Sequence, residues 1–255
     1  MRGLEDRVLL VTGAAGGIGR SICTRMLEEG MKVIACDLNE TGLEQLKNDL
    51  AHLKGDIVPH VLDITDANAV NEAISDVVKN HGAIDALVNN AGWDVAKPFL
   101  ETEPDFWDKV ISINLVGPLN LHRATLPYMI ENGGGKVVNI SSDAGRVGSS
   151  GESVYSACKG GIIAFSKTLA REGARHNILV NTVCPGPTDT ALLRSFIGDD
   201  EFGEKIYNGL KKAIPLKRLG QPGDIPGIIA FLVSDDANFI TGQTISVSGG
   251  LTMHG

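Results

Sequence analysis

Seven short apolar runs recur along this chain with helix-patterned segments between them, and that alternation constrains the fold more than any other feature. The runs fall at residues 7–12, 32–36, 57–62, 86–89, 136–140, 179–183 and 244–247, a length that suits strands. Between them, segments 18–29, 41–51, 67–80, 106–130 and 153–175 carry apolar residues at helical spacing. Parallel strands need crossover helices, and strands that are apolar along their whole length are covered on both faces. The pattern predicts an α/β chain whose ligand sits at the carboxyl ends of the strands. Residues 1–255, with 43% apolar content, suffice for one core and read as a single domain. The least regular segment, about 188–219, mixes Gly198, Asp199, Asp200, Gly203 and Gly209 with Leu and Phe, as a substrate lid would.

Charge narrows the partners. A formal net charge of −8 argues against a nucleic-acid footprint, which needs clustered Lys and Arg. No apolar run approaches the roughly 20 residues of a membrane helix, and residues 1–7 are too short and too charged for a signal peptide, so a cytoplasmic location is expected. Cys23, Cys36, Cys158 and Cys184 lack C-x-x-C spacing and read as reduced, buried thiols. The six histidines show no ligand spacing, and no metal is expected.

Two features carry chemistry. After the first run comes Thr12-Gly13-Ala14-Ala15-Gly16-Gly17-Ile18-Gly19, where glycines let the chain turn and bring backbone N–H groups against a pyrophosphate at a helix start. The spacing is G-x-x-x-G-x-G, a departure from G-x-G-x-x-G, in the same strand-turn-helix context. With the alternating pattern, it points to a Rossmann-type doubly wound parallel sheet of about seven strands. Asp37, with Leu38 after it, closes the second strand, where a carboxylate accepts hydrogen bonds from the adenosine ribose. No Lys or Arg stands within residues 14–17 or directly after Asp37 to offset a 2′-phosphate, which favours NAD over NADP. Asp63-Ile64 either meets the adenine edge or only caps a helix. The second feature is Tyr155 and Lys159, four residues apart and so on one helix face. A nearby ammonium favours the phenolate and is expected to pull the tyrosine toward neutrality.

Together with Asn89-Asn90-Ala91-Gly92, Asn114, Ser142 and Pro185-Gly186, these motifs resemble the short-chain dehydrogenase/reductase family over essentially the whole chain. The resemblance implies that Gly13, Gly16, Gly17, Ile18 and Gly19 hold the cofactor and that Asn90, Ala91 and Gly92 support it. It implies further that Pro185, Gly186 and Thr188 flank the nicotinamide, with Thr190 near its carboxamide and the pyrophosphate. Lys159 would also hold the nicotinamide ribose, Tyr155 would act as base, Ser142 would donate to the substrate oxygen, and Asn114 would hold a water linking Lys159 to solvent. Ser141 rivals Ser142, and the family spacing to Tyr155 decides for Ser142. The family also implies a homotetramer packed through the helices near 106–130 and 153–175.

Several segments, among them Trp93-Asp94 with Lys97-Pro98-Phe99 and Arg146-Val147-Gly148, are similar to a subgroup of that family, the 2-hydroxycyclohexane-1-carboxyl-CoA dehydrogenases of anaerobic benzoate degradation. That resemblance implies NAD-linked oxidation of a cyclic β-hydroxyacyl-CoA to the β-ketoacyl-CoA. Trp93, Phe99 and Val147 would wall a slot for the ring, and Arg146, Arg194 or Lys205 would meet CoA phosphates or stand as solvated surface charges. The alternatives are a 3-oxoacyl-acyl-carrier-protein reductase, docking its carrier on Arg123, Arg171 and Arg175, and a non-catalytic NAD-sensing protein.

Overall fold

The computed structural model describes residues 1–197 and 201–253. Its strands are β1 (Val8–Thr12), β2 (Lys32–Asp37), β3 (Ile57–Val61), β4 (Ala86–Asn89), β5 (Gly135–Ile140), β6 (Ile178–Pro185) and β7 (Thr244–Val247). They pair in parallel throughout, in the order β3-β2-β1-β4-β5-β6-β7. The helices are α1 (Gly17–Glu28), α2 (Glu40–Leu50), α3 (Ala67–His81), α4 (Pro104–Ile111), α5 (Gly117–Glu131), α6 (Ala144–Val147), α7 (Ser153–Gly173), α8 (Ala191–Ile197), α9 (Glu201–Ala213) and α10 (Pro226–Val233).

Because side chains alternate across a strand, each central strand feeds two cores. In β1, Leu9 and Val11 join α1, α2 and α10 on one face, while Val8 and Leu10 join α3, α5 and α7 on the other. Val33 and Ala35 against Ile34 and Cys36 repeat this in β2. Burying each such side chain stabilises the fold by roughly 1.5–3 kcal/mol, an upper figure because the unfolded chain already hides part of it. The chain reverses its winding between β1 and β4, and the resulting crevice at their carboxyl ends is where a doubly wound sheet takes a ligand.

Two expectations change in detail. The helix predicted over 106–130 is three pieces, since a π-helical turn, Ser112–Val116, separates α4 from α5. The segment predicted to be irregular over about 188–219 is largely α8 and α9, whose amphipathic spacing the glycines had masked. Of that lid segment, residues 198–200 lie outside the described residues. No helix among the described residues is long and apolar enough to cross a membrane.

Candidate active site

The glycine turn leaves β1 and enters α1 with no side-chain cap at Gly16 and no acidic residue in the first helical turn. By contrast, Asn39 and Asp66 cap α2 and α3 with their side chains. The first N–H groups of α1 are thus available to an anion, and the helix dipole favours one there. Gly13 has φ +65°, and a Cβ on it would lie 2.8 Å from Ala91 Cα. A Cβ on Gly19 would land on the Gly13 carbonyl oxygen. Asn90 locks the two strand ends together, its Nδ2 donating to Thr12 O at 3.0 Å and Gly13 O at 3.1 Å, while the Thr12 hydroxyl accepts from both Asn90 N and Ala91 N.

Asp37 stands over this loop. One carboxylate oxygen accepts from Ala15 N and the other from Asn39 N, both at 3.0 Å, which leaves each oxygen a further lone pair for a ribose hydroxyl. Leu38 beside it is 65% exposed, a flat apolar surface next to the carboxylate. Asp63 accepts from Thr65 N and Thr65 Oγ1, a local turn, while Ile64 is buried against Gly117. On the far side of the crevice, Thr190 and Pro222 face Gly17, at 3.5 and 3.7 Å from where its Cβ would be. Pro185 ends β6 and Gly186 donates to Val247 O, so the chain passes between β5 and β7 before Thr188, which is buried, bonds back to Gly186 O at 2.9 Å. These residues fit a nicotinamide dinucleotide: an uncapped helix start for the pyrophosphate, a carboxylate for the ribose, and glycines where any Cβ would fill the cradle.

The candidate reacting groups converge at the carboxyl end of β5. Lys159, 3% exposed, donates to Ile140 O at 3.0 Å and holds Nζ 5.4 Å from the centre of the Tyr155 ring. Burial pushes that ammonium down to about 8. The Ser142 hydroxyl oxygen accepts from Ala144 N, and this hydroxyl bears on the phenol of Tyr155. Ser141 turns away, donating to Lys159 O at 2.8 Å, which binds α7 to the sheet. Gly145 makes that close approach possible, because a Cβ on it would meet Lys159 and Gly160 backbone at 2.6 and 2.7 Å.

Asn114 sits in the π turn, fully buried. Its Nδ2 donates to Trp93 O at 2.6 Å and Val110 O at 2.9 Å, and its Oδ1 accepts from Trp93 N at 3.2 Å. Asn114 Oδ1 and Lys159 Nζ lie 3.1 and 3.5 Å from where a Cβ on Gly92 would be, so a residue there larger than glycine would press between the two groups.

The phenol differs from expectation. Burial first, then Glu152 and Asp94, hold Tyr155 above the ordinary tyrosine value, and the Ser142 hydroxyl works the other way. Charge proximity alone predicted the opposite direction; desolvation of an almost buried phenol outweighs it. Glu152 and Asp94 are also the site residues that sequence reasoning missed. Glu152 stands three residues before Tyr155, at the N-cap of the same helix; Asp94 had only its place after a strand end.

Trp93 and Phe99, expected with Val147 to wall a ring slot, follow β4, and Val147 ends α6. Trp93 packs on Phe106 at 5.9 Å with Lys109 Nζ 3.9 Å from its ring, whereas Phe99 stacks on Trp107 at 5.6 Å. Phe99 and Val147 are each more than half exposed. Arg146 donates to Ser246 Oγ, which in turn donates to Asp143, and Arg194 pairs with both oxygens of Asp189, so these two cations are engaged within the chain. Lys205 lies exposed on α9.

The chain matches, over residues 13–252, the family described as Enoyl-(Acyl carrier protein) reductase. It is 38% identical to a 3-oxoacyl-acyl-carrier-protein reductase of Thermotoga maritima over 98% of this chain and 99% of the relative, and 38% identical to an acetoacetyl-CoA reductase of Allochromatium vinosum over 97% and 99%. Among solved structures it superposes on a 3-oxoacyl-acyl-carrier-protein reductase from Brucella melitensis with bound NAD at TM-score 0.88 and 36% identity, covering 98% of this chain and 92% of that one. It also superposes on an actinorhodin polyketide ketoreductase with NADPH at TM-score 0.91 and 32% identity, covering the whole of both. With an all-parallel seven-stranded sheet, a glycine cradle after its first strand and Ser142, Tyr155 and Lys159 gathered at its fifth, the chain belongs to the short-chain dehydrogenase/reductase family.

Proposed function

We propose that this oxidoreductase interconverts β-hydroxyacyl and β-ketoacyl thioesters with NAD, and the observation that carries the reading is Ser142, Tyr155 and Lys159 meeting beside an uncapped helix start watched by Asp37. The bound nicotinamide supplies the hydride acceptor or donor. Tyr155 takes the alcohol proton in oxidation and returns it in reduction. Ser142 donates to the substrate oxygen and steadies the charge that develops there. Lys159 and Asn114, converging on Gly92, carry the proton onward to solvent.

The thioester class follows the relatives, which act on 3-oxoacyl-carrier and acetoacetyl-CoA substrates. One solved relative holds NAD and another NADPH, so the choice rests on Asp37, whose charge opposes a 2′-phosphate. Relatives of both carriers support the class, a carrier-protein reductase and a CoA reductase; of the arginines offered for carrier docking, Arg171 lies about 24 Å along α7 from Tyr155. As in related enzymes, the chain would act as a homotetramer; exposed Val116 and Ile130 on and beside α5 support that reading.

A cyclic acyl group is the second reading, favoured by Trp93, a half-buried ring two residues past the Asn90-Ala91 lock. Linear and ring thioesters are separated by Trp93→Ala. A ring-binding tryptophan predicts a rise of about tenfold or more in KM for 2-hydroxycyclohexane-1-carboxyl-CoA with little change for 3-hydroxybutyryl-CoA. Equal effects on both return the site to linear chains.

A further inference from the structure

Asp94 is 3% exposed, and its Oδ2 has no hydrogen-bond partner among the described residues. A buried carboxyl so placed is costly unless something holds it there. The backbone does so on both sides: Trp93 N and O are both bonded to Asn114, and Lys97 N donates to Gly151 O at 2.9 Å. The first clamp joins Asp94 to the π turn and the second to the loop that starts α7.

Across from it, Glu152 is the N-cap of α7, three residues before Tyr155, and Cys158 lies three residues further into the helix. Asp94 acts electrostatically on Tyr155 and Cys158, and Glu152 acts on Asp94 and on Tyr155. Around the phenol stand Glu152 from the N-cap of α7, Lys159 from α7, Asp94 from the segment after β4, the Ser142 hydroxyl after β5 and Cys184 from β6. Lys97 and Lys109, the cations of the neighbouring loop and helix, lie over the rings of Phe106 and Trp93. Lys159 therefore approaches the phenol with two carboxyl groups opposing it.

We propose that Asp94 and Glu152 are positioning residues that act through Tyr155, as an electrostatic counterweight to Lys159 that opposes loss of the phenol proton and so sets the pH at which alcohol oxidation becomes fast. Burial raises Asp94 to about 7 and raises Glu152 too, so the counterweight is charged in the alkaline range, where the phenol ionises, and fades in acid. This rests on Tyr155 being the base in the proposed reaction.

The test replaces each carboxyl by its uncharged isostere, Asp94→Asn and Glu152→Gln. kcat/KM for NAD-linked oxidation of 3-hydroxybutyryl-CoA is followed from about pH 6 to about pH 10. Each variant is expected to move the acidic limb of the profile downward by about half to one pH unit, which is roughly three- to tenfold faster oxidation at a fixed pH on that limb. A limb at the wild-type pH in both variants, with only its height altered, overturns the proposal and leaves the carboxyls a structural role. Tyrosinate absorbance, titrated in each variant and in its Tyr155→Phe counterpart, reads the same shift without any substrate. An unshifted Tyr155 signal likewise overturns the proposal, independently of the thioester assignment; an active Tyr155→Phe enzyme would remove the base itself.

Discussion

Tyr155 is where local chemistry and burial pull in opposite directions. An ammonium 5.4 Å from its ring favours the phenolate, yet the phenol is held up by desolvation and two carboxyl groups. The pairing of Tyr155 with Lys159 was legible in the sequence, because a four-residue spacing on a helix implies a shared face, whereas Ser142 was preferred to Ser141 only through the family resemblance. The direction of the phenol's shift was not legible, since its burial, the largest cause, and the approach of Asp94 both arise only through the fold. Tyr155→Phe removes the proton-transferring hydroxyl and leaves the glycine cradle and Asp37 untouched. Turnover should fall by about 10² to 10⁴ while NADH affinity, measured by nucleotide fluorescence, stays within about twofold. Near-normal turnover would show that another group moves the proton.

At the scale of elements, the strands and most helices follow from periodicity alone, and the exception is instructive. The π turn at Ser112–Val116 depends on Asn114 bonding Trp93, a residue 21 positions away in sequence, so no local pattern announces it. A second tertiary network ties α5 to the sheet and α7. His122 bonds Pro118 O through Nδ1, Asn89 donates to Asn139, and Asn139 donates to Ser166. Burial pushes His122 down to about 4. The unfolded chain takes up this proton near pH 6.5 and the native chain only near 4, so acid favours unfolding across that window. The stability His122 contributes is fully present above about pH 6.5 and is lost as pH falls toward 4, up to about 3 kcal/mol. Urea midpoints of wild type and His122→Gln, measured from pH 7 to pH 4, should show a steep acid decline for the first and a flatter one for the second. Parallel declines would assign the acid sensitivity elsewhere.

On the scale of the whole molecule, one topological fact organises the site. Every predicted cofactor or reacting residue that leaves a strand, at Gly13, Asp37, Asn90, Ser142 and Gly186, leaves it at the carboxyl end, around the crevice between β1 and β4. Alternating apolar runs were enough to foresee that sheet, and the glycine turn was enough to foresee which end binds. Substrate recognition was less legible, because Trp93 and Phe99 stack on different aromatic partners, Phe106 and Trp107, that sequence order does not reveal. The account as a whole stands on thioester chemistry with NAD, and initial rates of reduced-nucleotide formation from 3-hydroxybutyryl-CoA, with NAD and with NADP in parallel, test it most directly. The structure predicts efficient oxidation with kcat/KM at least about tenfold higher for NAD, as the Asp37 carboxylate requires. A preference for NADP, or no oxidation of a β-hydroxyacyl thioester by an enzyme that oxidises other secondary alcohols, would contradict it.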